Sequence, residues 1–174
     1  MRGIAKVLLM AALVVGLTGL AFGNPTYTLA NSNGGDGYLV GAPPSFQLFG
    51  ADNSVLTDYT TYTATFAGPT AVEFSWSYTT YDPLGSYWDP AGYVVDGTYN
   101  QLSTDVFGAG FYGEMSGEVY QYLNAGDTFG WYVASIDGGG PGELSVNITP
   151  EPSSMILFGT GLVGFLWTIR RKLA

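Results

Sequence analysis

Three aspartates recur seven residues apart, Asp82, Asp89 and Asp96, and each stands before Pro or Gly in a turn-rich stretch of the chain. Carboxylates on flexible turns are what a calcium ion takes, because it gathers about six to eight hard oxygens from side chains, carbonyls and water. The same dipeptides also begin ordinary turns, and no segment fits the EF-hand loop of Asp ligands closing on a Glu. Asp82, Asp89 and Asp96 are therefore either turn formers or ligands of a Ca2+ site. Tyr81, Tyr87 and Trp88 share the stretch. Planar rings beside carboxylates suit stacking and hydrogen bonding to sugars, which makes these three a candidate glycan-binding platform. Burial at a sheet edge explains them as simply. Trp76 and Trp131 sit within alternating segments and read as core.

Reaction chemistry finds little to work with. The chain has no histidine and no cysteine, so imidazole bases and thiolate nucleophiles are excluded. Its Lys and Arg are confined to Arg2, Lys6, Arg170, Arg171 and Lys172, which leaves a Ser or Tyr nucleophile in the middle without an activating base. A carboxylate pair about 5–9 Å apart can hydrolyse a glycosidic bond. Among the thirteen carboxylates of residues 24–150, however, some pair always qualifies. We expect no catalytic residue and no enzyme. With no basic side chain in that interval its formal charge is −13. Nucleic acid is thereby excluded as a partner, since phosphate binding needs cationic groups.

The two ends position this acidic middle. Arg2 and Lys6 precede an apolar run from Val7 to Leu20, and Ala21-Phe22-Gly23 offers the small residues that signal peptidase reads. Residues 1–23 are expected to be a helical signal peptide handed to the secretion machinery; the alternative is an uncleaved anchor. At the other end Pro150-Glu151-Pro152 is extended, and an uncharged apolar stretch over 153–169 stops against Arg170, Arg171 and Lys172. Residues 155–169 alone make about 22 Å of helix, and starting at Pro152 makes about 27 Å, against a bilayer core of about 30 Å. A transmembrane helix over 153–169 is expected, with the basic tail as a membrane stop on the cytoplasmic side. The alternative is a buried core helix.

This tail, a Pro-Glu-Pro motif followed by a glycine-containing apolar helix and a basic cluster, resembles the PEP-CTERM sorting signal over about 25 residues. The resemblance implies that exosortase, a membrane protease-transpeptidase of Gram-negative bacteria, recognises Pro150, Glu151 and Pro152 and processes the chain near them. It also implies a destination at the cell surface or in the extracellular polysaccharide matrix. The stretch from Tyr78 to Leu102, and Asn124-Ala125-Gly126-Asp127-Thr128-Phe129-Gly130 with the later Asp137-Gly138, are similar to extracellular β-sandwich modules of such proteins. No catalytic residues come with that similarity.

Residues 24–149 are expected to form one all-β domain. Val72, Phe74, Trp76 and Tyr78 alternate with Glu73, Ser75 and Ser77; Leu144, Val146 and Ile148 alternate with Glu143, Ser145 and Asn147. Tyr62, Ala64 and Phe66 alternate with threonines, and Phe129, Trp131 and Val133 share a face. Further strands are expected at 26–30, 37–40, 45–49, 91–95, 98–102 and 118–123. Asp96-Gly97 marks a type I′ hairpin. Eight or nine short strands read as an antiparallel β-sandwich, jelly-roll-like or Ig-like, flanked by the signal-peptide helix and the transmembrane helix. An outer-membrane barrel is the weaker alternative, because most of the strands are too short to span. Two functions remain open for the domain. One is an exported non-enzymatic surface or matrix protein acting by self-association or hydration. The other is a calcium-assisted module that binds extracellular polysaccharide.

Overall fold

The structure, a computed structural model, describes residues 25–53, 57–108 and 114–149. These lie within one compact unit, Asn24–Pro150. The helices expected over 1–23 and 153–169, and the motif at 150–152, lie outside the described residues. Among the described residues no helix is long and apolar enough to cross a membrane.

Ten strands are described: β1 Thr28–Asn31, β2 Tyr38–Ala42, β3 Ser45–Phe49, β4 Asp58–Thr65, β5 Thr70–Thr80, β6 Ala91–Val95, β7 Thr98–Gln101, β8 Met115–Leu123, β9 Thr128–Ser135 and β10 Gly142–Thr149. They form two five-stranded antiparallel sheets, ordered β1-β4-β9-β6-β7 and β2-β3-β10-β5-β8. The all-β antiparallel sandwich is thus as expected.

Alternation decides which face each strand buries. Phe46 and Leu48 of β3, Phe74 and Tyr78 of β5, and Leu144 and Val146 of β10 turn inward from the second sheet. They meet Tyr62, Phe129, Trp131 and Val133 of the first. Trp131 is fully buried, with Phe46, Phe74 and Phe129 edge-on to its ring at centroid distances of 5.0, 5.5 and 5.1 Å. Edge-to-face packing sets the positive rim of one ring against the negative face of another. With no disulfide available, this aromatic core and the two ladders hold the domain together.

Asp96 and Gly97 both have positive φ, 48° and 78°, as a type I′ turn requires, and they join β6 to β7 in the expected place. Strands β4, β5 and β8 start earlier than the alternation indicates. β8 begins at Met115 because Gly117 pairs with Trp76 and leaves room for the indole; a Cβ there would lie 3.0 Å from its Nε1. β4 begins at Asp58 because Asp58 and Thr60, though polar, point inward.

Candidate functional site

Two regions carry functional side chains: a groove on the outer face of the second sheet, and an acidic end of the sandwich.

The groove follows from the register. Gln47, Ser145 and Ser77 lie side by side across β3, β10 and β5, and Ser45, Asn147 and Ser75 form the next row. These are the outward positions of strands whose inward positions fill the core. Short hydroxyl and amide side chains in two adjacent rows leave a depression of about 500 Å3, closed along the β2 side by Val40 and Gly41. At one end Tyr38 and Phe49 stack with centroids 4.6 Å apart and planes within 8°. Beside them Glu143 is held by three donors: Gln47 Nε2, Ser145 Oγ at 3.0 Å and Tyr81 Oη at 2.8 Å. Tyr81, half exposed, is thereby tied to Glu143 in the row next to the groove. Along the β8 edge of the same sheet Tyr120 and Tyr122 project into solvent.

Tyr87 and Trp88 do not line the groove. Both are half-buried, with their rings edge to face at 5.2 Å, and Tyr87 lies over exposed Phe107 at 4.0 Å. Of the three aromatics in the sequence platform, Tyr81 is hydrogen-bonded to Glu143, while Tyr87 and Trp88 sit in a separate cluster with Phe107.

The acidic end gathers Asp82 and Asp89 but not Asp96. Six residues of chain at about 3.3 Å each carry β6 from Asp89 to the far end of the first sheet. There Asp96 Oδ1 accepts the Thr128 amide at 2.8 Å and stays in its turn. Asp89 is fully buried between the sheets. Its Oδ2 takes the Thr80 hydroxyl from β5 and its Oδ1 faces the Ser135 hydroxyl of β9, each at 3.3 Å. Its carbonyl accepts the Tyr78 hydroxyl at 2.7 Å. Burial, with the nearby charge of Asp82 second, pushes the Asp89 carboxyl up to about 8.

The hydrogen-bond geometry fits a protonated acid. Ser135 has one proton for two acceptors, Asp89 Oδ1 and, closer at 2.9 Å, the Asp137 carbonyl. If Asp89 donates to Ser135 Oγ and Ser135 donates to that carbonyl, every group is satisfied.

Asp82 is also fully buried, beneath the turn of Gly138, Gly139 and Gly140. Its Oδ1 accepts the Leu84 amide, while no N–H or hydroxyl reaches its Oδ2. The Asp137 carboxylate lies against it, and burial together with that charge holds the Asp82 carboxyl above the ordinary range. On β4, Asp58 Oδ1 and Thr60 Oγ1 are likewise buried and unpartnered, under Gly35 and Gly37. Burial and the charge of Asp36 raise the Asp58 carboxyl too. Among the described residues no three carboxylates converge to hold a metal by themselves. Among the described residues no Ser or Tyr is paired with a Lys, Arg or His.

Sequence reasoning noted Asp137 only as part of an Asp-Gly turn, did not place it or Asp58 at a site, and missed the groove. The serines and amides that line it are visible in the alternation, but their adjacency depends on strand order.

A sequence model of the PEP-CTERM protein-sorting motif matches residues 149–172. The motif is therefore present, and it supports export linked to exosortase and a surface or extracellular destination. No curated protein matches the chain. Among solved structures, a family 35 carbohydrate binding module from Clostridium thermocellum is 13% identical, with a TM-score of 0.36 over 70% of this chain and 97% of that one. TmCBM61, solved with β-1,4-galactotriose, is 12% identical, with a TM-score of 0.38 over 72% of this chain and 88% of that one. The module CBM6cm-2 from Cellvibrio mixtus lichenase 5A, solved with cellotriose, is 12% identical, with a TM-score of 0.28 over 74% of this chain and 92% of that one. Likenesses of this size carry no inference about ligand.

Proposed function

We propose that this chain is an exported, non-enzymatic surface protein whose β-sandwich binds a neutral extracellular polysaccharide along the groove of the second sheet. The groove carries the reading. Gln47, Ser75, Ser77, Ser145 and Asn147 supply donors and acceptors in an open row, which suits the hydroxyls of an extended glycan. Tyr38 and Tyr81 at one end offer ring faces for the apolar side of a sugar. Glu143 is already oriented by three donors, so little side-chain freedom is lost when a sugar hydroxyl docks beside it. A polyanion is disfavoured, because the 13 carboxylates of residues 24–150 face it without one compensating Lys or Arg. Strands β3–β10, ordered β3-β10-β5-β8 over β4-β9-β6-β7, are read as a jelly roll rather than an Ig-like sandwich.

In this reading residues 1–23 direct secretion through signal peptidase, residues 24–149 form the displayed module, and residues 150–174 hold the precursor in the inner membrane. There exosortase meets Pro150, Glu151 and Pro152. Affinity electrophoresis through gels containing neutral or anionic polysaccharides tests the binding: retardation by a neutral glycan, lost on filling the groove with Ser77→Trp, supports it. A second reading, self-association in the matrix, draws on β8, an outer strand with Tyr120 and Tyr122 exposed. Light scattering that shows concentration-dependent oligomers, dissolved by Tyr120→Lys, favours that one.

A further inference from the structure

The buried Oδ2 of Asp82, which no N–H or hydroxyl reaches, asks for a positive charge. A buried carboxylate oxygen without a donor is among the more costly groups a fold can hold. Here a second carboxylate, Asp137, is pressed against it, and Asp52 adds like charge. Residues 7–169 contain no Lys, Arg or His to answer it.

The surroundings are oxygen-rich and the backbone is permissive. Gly139 passes so close that a Cβ there would sit 2.7 Å from Asp82 Oδ2. Gly140, at φ 136°, packs on the Tyr81 carbonyl. The Gly139 amide donates to Asp137 Oδ1 at 3.2 Å, and a glycine-rich turn beside a carboxylate pair is the flexible setting that calcium accepts and that magnesium, with its strict octahedron, does not.

We infer that Asp82 and Asp137 together bind a calcium ion at the turn between β9 and β10, with backbone carbonyls and water completing its shell. Asp89 stands behind this site as the hydrogen-bonded link between sheets. Asp96 takes no part. The cation ties the segment after β5 to the β9–β10 turn and cancels the repulsion between their carboxylates. The inference is independent of glycan binding, because cation binding is measured with no sugar present.

The test uses the full-length chain in detergent, stripped with chelator and titrated calorimetrically with calcium chloride, with melting followed in parallel. Saturable binding near one ion per chain is expected, with a Tm that climbs to a plateau. Magnesium should have much less effect, and sodium chloride at matched ionic strength almost none. Asp137→Asn, on a half-buried turn that should fold normally, should weaken calcium by roughly tenfold or more, because affinity follows ligand charge. Asp82→Asn should do the same, while Asp96→Asn leaves the titration unchanged. Equal shifts from calcium and from matched salt would overturn the inference. So would wild-type affinity in Asp137→Asn, or a loss confined to Asp58→Asn.

Discussion

Asp89 Oδ1 and Ser135 Oγ stand 3.3 Å apart at the acidic end of the sandwich, and the other oxygen of the same carboxyl reaches Thr80 on the opposite sheet. A single acidic side chain thereby links the two sheets where the core turns polar. With its proton on, the link is complete.

Stability should therefore depend on pH in the direction opposite to that of a salt-bridged acid. The folded carboxyl titrates at about 8, against 3.8 for an ordinary Asp. Between those values the folded state keeps a proton that the unfolded chain has released, so the contribution is complete below about 4 and is lost as pH rises toward 8. In chelator, the urea midpoint of the wild type should fall from pH 5 to pH 8. Asp89→Asn can bridge Thr80 and Ser135 without a charge, so its slope should be shallower and its midpoint at pH 8 higher. Some slope should remain, since Asp58 and Asp82 are raised too. Identical slopes in both proteins would refute the assignment. Asp89→Ala should lose about 1–3 kcal/mol at pH 5, where the bridge is intact.

Much of the sandwich is legible in the sequence, because strands such as β5 and β10 keep a strict two-residue period and the Asp96-Gly97 turn needs positive φ. Asp58 and Thr60 were not legible as inward residues, since a polar side chain facing the core breaks the very pattern that marks a strand. The acidic end was half legible. Asp82 and Asp89 stood out by spacing, and the strand expected at 91–95 already separates Asp96 from them, although the seven-residue spacing groups all three. Asp137 comes from a separate turn, over 40 residues later in the chain, and only the fold brings it in. Serines at 75, 77 and 145 looked like ordinary solvent-facing positions until the pairing of β3, β10 and β5 set them side by side.

The β6–β7 hairpin offers a test of local turn chemistry. Gly97→Ala should cost about 1 kcal/mol, because its φ of 78° suits glycine. Asp96→Asn, which tolerates positive φ and keeps an acceptor for the Thr128 amide, should fall within about 0.5 kcal/mol of the wild type in urea unfolding.

Sorting should fail separately from folding. With Pro150, Glu151 and Pro152 all replaced by alanine, secretion continues but the product stays membrane-bound at the mass of a precursor lacking only its signal peptide. Replacing Arg170, Arg171 and Lys172 with serine should instead let part of the population slip into the periplasm. Fractionation with intact-mass measurement distinguishes the two, and an alanine variant trimmed and released like the wild type would reduce residues 150–152 to a linker.

Calorimetric titration of the full-length chain with neutral oligosaccharides of increasing length tests the central claim most directly. The account predicts saturable binding that tightens with length until the groove is spanned. Adding salt should change it little, and Ser77→Trp or Ser145→Trp should abolish it without moving Tm. Absence of saturable binding to any neutral glycan, or binding that survives a filled groove, would contradict it.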